Sequence, residues 1–197
     1  MLELILIRHG ETDSNIKGTH LGWTDIPLNE QGIKQAEHIA NLLKNEPIDQ
    51  VYSSPLKRAM QTAHAINKYH GKNIINLDAI KERNFGIWED LIYDEIKEKH
   101  RELHDKWVKD WIDFKIPKGE SARETFERVT AAVDEIINKH QEGKVVIVTH
   151  LGSIRNIIAY LLGMTIEGSW RFRVLNGSAA RIQISDGYAV LTSLNEK

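Results

Sequence analysis

The chain of 197 residues contains no cysteine, which excludes disulfide bonds, thiol nucleophiles and zinc–thiolate sites. It also lacks a long apolar run. The apolar N-terminal stretch is short and includes Glu3, and no basic segment or cleavage site marks it as a signal peptide. The chain also lacks an excess of one charge. Its net charge is −2, which favours binding to neither nucleic acid nor an anionic membrane. We therefore expect a cytoplasmic enzyme or binding protein with no nucleic-acid or membrane partner.

The order of apolar segments predicts an α/β fold. Runs typical of strands alternate with segments of helical periodicity, which indicates a three-layer α/β/α arrangement around a mostly parallel sheet. Asp186-Gly187 between two alternating runs predicts a hairpin and hence an antiparallel edge strand. No repeat, low-complexity tract or linker is present, so we expect residues 1–197 to form one domain.

Capping and breaking residues locate the predicted elements. We expect Asn29 to cap one helix, and Ser54 to cap another with Pro55 at its first position. Ser121 and Glu124 form a capping box at the start of a third helix. The strands are predicted at residues 2–7, 51–52, 74–77 and 144–149, and further helices at 93–111 and 153–162.

Two predicted strands end in a histidine followed by a glycine-containing turn. The first apolar run leads into Arg8-His9-Gly10, and the strand over 144–149 leads into His150-Leu151-Gly152. Ligands of open α/β sheets bind outside the carboxyl ends of the strands. These two histidines are therefore candidates for a shared reactive site.

The neighbouring residue types suit a phosphate monoester. His9 can act as a nucleophile in its neutral form, and Arg8 and Arg58 can clamp phosphoryl oxygens. His150 can donate to the same anion, and Glu82 is a candidate acid and base for the leaving group. Together these residues point to phosphoryl transfer.

Four motifs in order resemble those of the histidine phosphatase superfamily, which has the phosphoglycerate-mutase-like fold. They are residues 8–12, 54–59, 82–86 and 149–150. The resemblance implies that His9 is the phosphorylated residue, that Arg8, Arg58 and His150 form the phosphate pocket, and that Glu82 is the proton donor and later the base. It implies no metal and no cofactor, because the guanidinium groups supply the positive charge.

The same resemblance suggests further contacts with the substrate. Asn15 is similar to a loop asparagine that touches the phosphate, and Thr24 is a candidate for the rim of the pocket. One departure concerns Leu151, since many relatives have glycine directly after the second histidine. Its backbone N–H remains available, but its side chain would narrow the pocket. Asp13 remains an alternative partner in proton transfer.

The segment over residues 88–118 distinguishes branches of the family. It is shorter than the basic segment of the mutases and carries Trp88, Trp107 and Trp111, so we expect a helical cap-like insertion over the site that suits a larger organic leaving group. Residues 170–174 with Asn176 resemble α-ribazole phosphatases of cobalamin nucleotide-loop assembly. A broad-specificity phosphatase is the alternative, followed by a phosphoglycerate mutase and a non-catalytic phospho-ligand binder.

Several residues leave other interpretations open. His100 and His104 have the spacing of metal ligands on a helix, but the glutamate of the metalloprotease arrangement is not between them in its place, so we favour a solvated polar face and expect no metal. Trp107 and Trp111 fit a substrate wall, a core or a homodimer contact. Arg171 and Arg173 alternate on a predicted strand. They are either charges on the protein surface or contacts with the substrate.

Overall fold

A six-stranded mixed sheet with helices on both faces organises the computed structural model, which describes residues 1–197. The strands are β1 (Leu2–Arg8), β2 (Gln50–Ser53), β3 (Ile74–Asn76), β4 (Gly143–Thr149), β5 (Ala179–Ser185) and β6 (Tyr188–Glu196). The α-helices are α1 (Asp13–Lys17), α2 (Glu30–Leu43), α3 (Lys57–Asn67), α4 (Tyr93–Lys99), α5 (Arg101–Lys109), α6 (Ala122–Lys139) and α7 (Leu151–Leu161). Short 3₁₀ helices cover Asp78–Ile80, Gly86–Trp88 and Ile166–Arg171. No helix has both the length and the apolarity needed to span a bilayer.

Two hydrophobic cores lie on opposite faces of the sheet. Leu2, Leu4 and Leu6 of β1 pack into a core with α6 and α7, whereas Ile5 and Ile7 pack into one with α2 and α3. Because successive strand residues point to opposite faces, a strand buried on both sides is apolar at consecutive positions. The predicted three-layer α/β/α fold is confirmed.

The strand order β3-β2-β4-β1-β5-β6 places the first and fourth strands side by side. β1, β2, β3 and β4 are parallel to one another, while β5 runs antiparallel to β1 and pairs with β6 through the predicted hairpin. Asp186 and Gly187 both have positive φ values, 50° and 76°, as a tight hairpin turn requires. The predicted mixed sheet is therefore present, with β5 next to β1 and β6 at the edge.

The prediction that Ser54 caps a helix beginning at Pro55 is wrong. Helix α3 begins at Lys57, whose N–H donates to Asp25 Oδ1 at 2.7 Å. Ser54 Oγ lies 2.8 Å from His150 Nε2 instead. An aspartate from a distant loop thus takes the place of the local cap, because the helix begins three residues after Ser54.

Helix α7 begins two residues before the predicted start at residue 153. Its first residue is Leu151, and His150 is the N-cap residue with an extended backbone, φ −122° and ψ 169°. The second histidine therefore sits directly at a helix N-terminus.

The single helix predicted over 93–111 is also wrong, because the chain breaks at His100 (φ −131°, ψ 39°) into α4 and α5. Trp111 lies beyond the end of α5 and does not share a helix face with Trp107. Trp107 packs edge-on against Trp88, with ring centroids 6.0 Å apart, in a small separate core. His104 is buried and its Nε2 lies 2.8 Å from the Tyr93 hydroxyl.

The strand predicted around Arg171 and Arg173 is absent. Arg171 ends the 3₁₀ helix Ile166–Arg171, and Arg173 follows it in a loop. Both side chains are exposed. The alternation of charges therefore reflects a surface turn and not a pleated strand.

Shortening a buried side chain of the central strand β4 tests this layer arrangement. Ile147 is completely buried in β4, so Ile147→Ala should lower the free energy of unfolding by about 2–5 kcal/mol in urea denaturation. Val190→Ala on the edge strand β6 is the control. Its side chain is 45% exposed, and a loss above about 1 kcal/mol there would contradict the assignment of the core.

Candidate active site

The parallel register of β1 and β4 brings the two strand-end histidines together. Arg8 pairs with Thr149 across the sheet, and the next backbone N–H, that of His9, donates to the Thr149 carbonyl at 3.0 Å. The rings of His9 and His150 consequently lie with their centroids 5.1 Å apart. Strand pairing alone therefore sets the separation of the two imidazoles.

A backbone carbonyl determines the tautomer of His9. His9 Nδ1 lies 2.6 Å from the Gly10 carbonyl oxygen, which can only accept, so Nδ1 carries the hydrogen. The pKa of His9 is well below its usual 6.5, first because the ring is buried and then because Arg58 and Arg8 are close. The ring is therefore neutral, with the lone pair on Nε2 available for attack.

His150 presents an N–H group without a partner. The buried Ser54 hydroxyl accepts from the Leu56 N–H at 3.4 Å, and His150 Nε2 is the one acceptor within reach of its proton, so the hydroxyl donates to His150 Nε2. That bond places the ring hydrogen of neutral His150 on Nδ1, which is buried and has no hydrogen-bond partner. Burial, followed by Arg58 and His9, also lowers the pKa of His150 well below 6.5.

Two guanidinium groups lie beside the histidines, each held by backbone carbonyls. Arg8 Nη1 donates to the Val174 carbonyl at 2.7 Å, and Arg58 donates to the carbonyls of Thr24 and Gly22 at 2.9 and 2.6 Å. Burial lowers the pKa of Arg8 and of Arg58 to about 10, so both remain charged at neutral pH. The carbonyls orient the groups without neutralising them.

Three buried N–H donors around these residues have no acceptor: Arg8 Nε, Arg58 Nε and His150 Nδ1. Buried donors are almost always paired in folded proteins, so three orphans in one place call for a ligand. An anion with several oxygens, such as a phosphoryl group, supplies the missing acceptors.

The carboxylate of Glu82 is held by hydrogen bonds from the backbone. Its two oxygens accept from the N–H groups of Arg83 and Gly152, each at 2.9 Å. A Cβ on Gly152 would lie 2.4 Å from Glu82 Oε1, so a larger residue there would displace the Glu82 carboxylate. The glycine that follows Leu151 thus receives a role that the sequence did not reveal.

Glu89 was missed as a residue that organises the site, although it lies in the sequence that suggested the branch. Its carboxylate accepts from the N–H groups of Gly22, Trp23, Thr24 and Phe85 at 2.9–3.1 Å. The loop it binds supplies the carbonyls that hold the Arg58 guanidinium. Glu89 therefore orients that guanidinium indirectly.

The weaker candidates occupy the surroundings of the site. The Thr24 hydroxyl donates to Asp90 at 2.9 Å, so Thr24 reaches Arg58 only through its carbonyl. Asn15 Oδ1 accepts from the Thr12 N–H and from Asn176 Nδ2, which also contacts the His9 carbonyl. Only the amide N–H groups of Asn15 are therefore available to a ligand.

A cavity of about 330 Å³ opens beside Glu82, and aromatic side chains form part of its wall. The wall includes Phe85, Tyr93, Trp107, Trp111, Trp170 and Leu151. Arg155 also lines it. Its Nε donates to the Phe172 carbonyl at 2.6 Å, and its guanidinium lies 5.3 Å from the centre of the Trp170 ring. Arg171 and Arg173 are not part of this wall.

The buried histidines make stability depend on pH. As the pH falls below about 6.5, the unfolded chain protonates both imidazoles while the folded protein does not. The free energy of unfolding should therefore fall with decreasing pH, by up to about 1.4 kcal/mol per pH unit for each histidine. Urea unfolding at about pH 7.5 and about pH 5.5 measures this dependence. His150→Asn should reduce it, and an unchanged slope would contradict the buried neutral ring.

Known proteins are similar to this chain in sequence and in fold over nearly their whole length. A family model, "Histidine phosphatase superfamily (branch 1)", matches residues 4–197. Phosphoserine phosphatase 1 of Hydrogenobacter thermophilus is 34% identical over 195 residues, which are 99% of this chain and 92% of that protein. The adenosylcobalamin/α-ribazole phosphatase of Salmonella typhimurium is 32% identical over 198 residues, covering 100% of this chain and 97% of that protein.

A solved structure agrees with these matches. The α-ribazole phosphatase of Shigella flexneri superimposes with a TM-score of 0.93 at 32% identity, over 98% of this chain and 96% of that one. The resemblance noted in the sequence is thereby confirmed. The chain belongs to branch 1 of the histidine phosphatase superfamily and is an enzyme of the phosphatase class.

Proposed function

We propose that this chain hydrolyses phosphate monoesters through a phosphohistidine on His9, with α-ribazole 5′-phosphate as its substrate. The observation that carries the reaction type is the set of three unpaired buried N–H donors around a neutral imidazole. Oriented donors stabilise the charge that develops on the phosphoryl oxygens, and each such donor typically contributes about 10²–10³-fold in rate.

In the first step, His9 Nε2 attacks phosphorus and the bond from phosphorus to the ester oxygen breaks. Arg8, Arg58 and His150 bind the equatorial oxygens, and protonated Glu82 gives its proton to the departing alcohol. In the second step, Glu82 takes a proton from water, the resulting hydroxide attacks phosphorus, and the P–N bond breaks. Inorganic phosphate leaves, and His9 and Glu82 return to their starting states.

The other predicted contacts have supporting roles in this proposal. The amide N–H groups of Asn15 would donate to the phosphoryl group, and Thr24 would act through its carbonyl on Arg58. Leu151 would contact the leaving group, since its side chain lines the cavity beside the proton donor.

The leaving-group assignment rests on the aromatic cavity. We propose that residues 88–118 act as a cap over this side of the site, because Tyr93, Trp107 and Trp111 all line the cavity. Planar rings stack favourably on such walls, and α-ribazole carries a benzimidazole base. The names of the Salmonella and Shigella relatives support the same substrate.

Phosphoserine is the second candidate, because the Hydrogenobacter relative is named for it and Arg155 offers a positive charge at the cavity wall. A guanidinium pairs well with the carboxylate of serine, which α-ribazole lacks. The two candidates therefore depend on different residues of the same cavity.

Removal of the nucleophile should abolish turnover. His9→Ala should lower kcat/KM by at least about 10³-fold and eliminate an acid-labile, base-stable phosphoprotein in quenched reactions. His38→Ala, at an exposed position of α2, is the matched control and should leave both unchanged. Substantial activity in His9→Ala would overturn the proposed mechanism.

A substrate panel tests the leaving group. The kcat/KM for α-ribazole 5′-phosphate should exceed that for O-phosphoserine by about 100-fold, which corresponds to about 2.7 kcal/mol. Trp111→Ala should reduce mainly the first reaction and Arg155→Met mainly the second, because aromatic stacking and carboxylate pairing are separate interactions.

Other outcomes of the panel identify the alternatives. Similar rates on all esters would indicate a broad-specificity phosphatase, and a preference for O-phosphoserine the second candidate. Conversion of 3-phosphoglycerate to 2-phosphoglycerate with little free phosphate would indicate a mutase. Binding of phosphate esters without turnover would indicate a non-catalytic phospho-ligand binder.

A further inference from the structure

The carbonyls of the loop that carries Glu82 are held by side chains from other elements. Arg128 of α6 contacts three of them. Its Nη1 donates to the carbonyls of Ala79 and Lys81 at 2.8 and 3.2 Å, and its Nη2 approaches that of Glu82 at 3.4 Å. One guanidinium thus spans the backbone that leads up to the proposed proton donor.

Arg128 is itself fixed by Glu120. Nε and Nη2 of the guanidinium donate to the two carboxylate oxygens at 2.9 and 2.8 Å, and the side chains are only 21% and 17% exposed. A bidentate pair of this kind is geometrically specific, unlike a single point contact. The orientation of the guanidinium is therefore determined on both sides.

Glu120 also holds the backbone after Glu82. Its Oε2 accepts from the Asn84 N–H at 2.9 Å, and its own carbonyl accepts from Arg83 Nε at 3.0 Å. The ion pair therefore forms hydrogen bonds with the backbone on both sides of residue 82.

The Glu82 carboxylate has no direct contact with this ion pair. Its oxygens accept only from two backbone N–H groups. A residue that must carry a proton in one step and lose it in the next cannot be tightly paired with a guanidinium, because that pairing favours the ionised form. Support through the carbonyls places the carboxyl group without such a contact.

We propose that Arg128, oriented by Glu120, is a positioning residue for the proton transfer by Glu82. This inference rests on the proposed function, in which Glu82 protonates the leaving group. Its consequence is selective: loss of Arg128 should harm the departure of alcohols that need a proton and spare leaving groups that depart as stable anions.

Two aromatic esters of similar size separate these cases. Benzyl phosphate releases a poor leaving group that needs protonation, whereas 4-nitrophenyl phosphate releases a stable phenolate. The comparison uses kcat/KM, which covers the steps up to departure of the alcohol and excludes hydrolysis of the phosphohistidine. Arg128→Met should lower kcat/KM for benzyl phosphate by about 10²-fold and that for 4-nitrophenyl phosphate by less than about threefold.

The matched control is Arg123→Met on the same helix. Arg123 also forms an ion pair, with Asp113, but it is 49% exposed and does not contact the Glu82 loop. It should leave the ratio of the two kcat/KM values unchanged. Arg128→Lys should recover part of the benzyl phosphate activity, since it keeps a charge but loses the bidentate geometry.

The Glu82→Gln variant distinguishes a failure of the positioning role of Arg128 from a failure of the proposed role of Glu82. If Glu82→Gln loses both activities equally, the proposed role of Glu82 fails. If Glu82→Gln is selective but Arg128→Met loses both activities equally, the positioning role fails and Arg128 is a general structural residue. Should Arg128→Met not fold by circular dichroism, Glu120→Gln takes its place, with the same selective loss expected and an equal loss again overturning the proposal.

Discussion

Two buried guanidinium groups without a direct counterion are the constraint on which the rest of the site depends. Arg8 and Arg58 are desolvated, and their bonds go to neutral carbonyls of Val174, Gly22 and Thr24. A direct carboxylate partner would stabilise the empty protein but would compete with a phosphoryl group. The two guanidinium groups thus keep their positive charge available, but buried N–H donors of the site are left without an acceptor. A bound anion would supply the missing acceptors.

The acidic residues around the site follow a complementary pattern. Glu82 and Glu89 both accept hydrogen bonds from backbone N–H groups, and Glu120 pairs with Arg128. Backbone N–H groups fix the position of a carboxyl group without adding a mobile charge. Each carboxylate therefore orders a loop. Burial first, and then the positive charges of Arg58 and Arg8, keep the His9 imidazole neutral.

Much of this arrangement could be predicted from the chain. The strands that end at His9 and His150 and the mostly parallel sheet with its hairpin follow from local patterns, because a buried strand leaves a signature over a few consecutive residues. Residue types near the predicted strand ends also marked Arg58 and Glu82 as candidates for the site. Local rules failed where a distant residue replaced a local partner. Ser54 contacts His150 and does not cap α3, because the helix begins at Lys57, where Asp25 accepts from the first N–H.

By itself, the sequence determined the fold class and named the candidate side chains of the site, since both depend on neighbours along the chain. Tertiary structure decided how those side chains are supported. The contact of Glu82 with Gly152 joins residues 70 positions apart, and that of Arg128 with Ala79 joins residues 49 apart. Such separations carry no periodic signal, so only the packing of α6 and α7 onto the sheet reveals which carbonyls and N–H groups hold Glu82 and its loop.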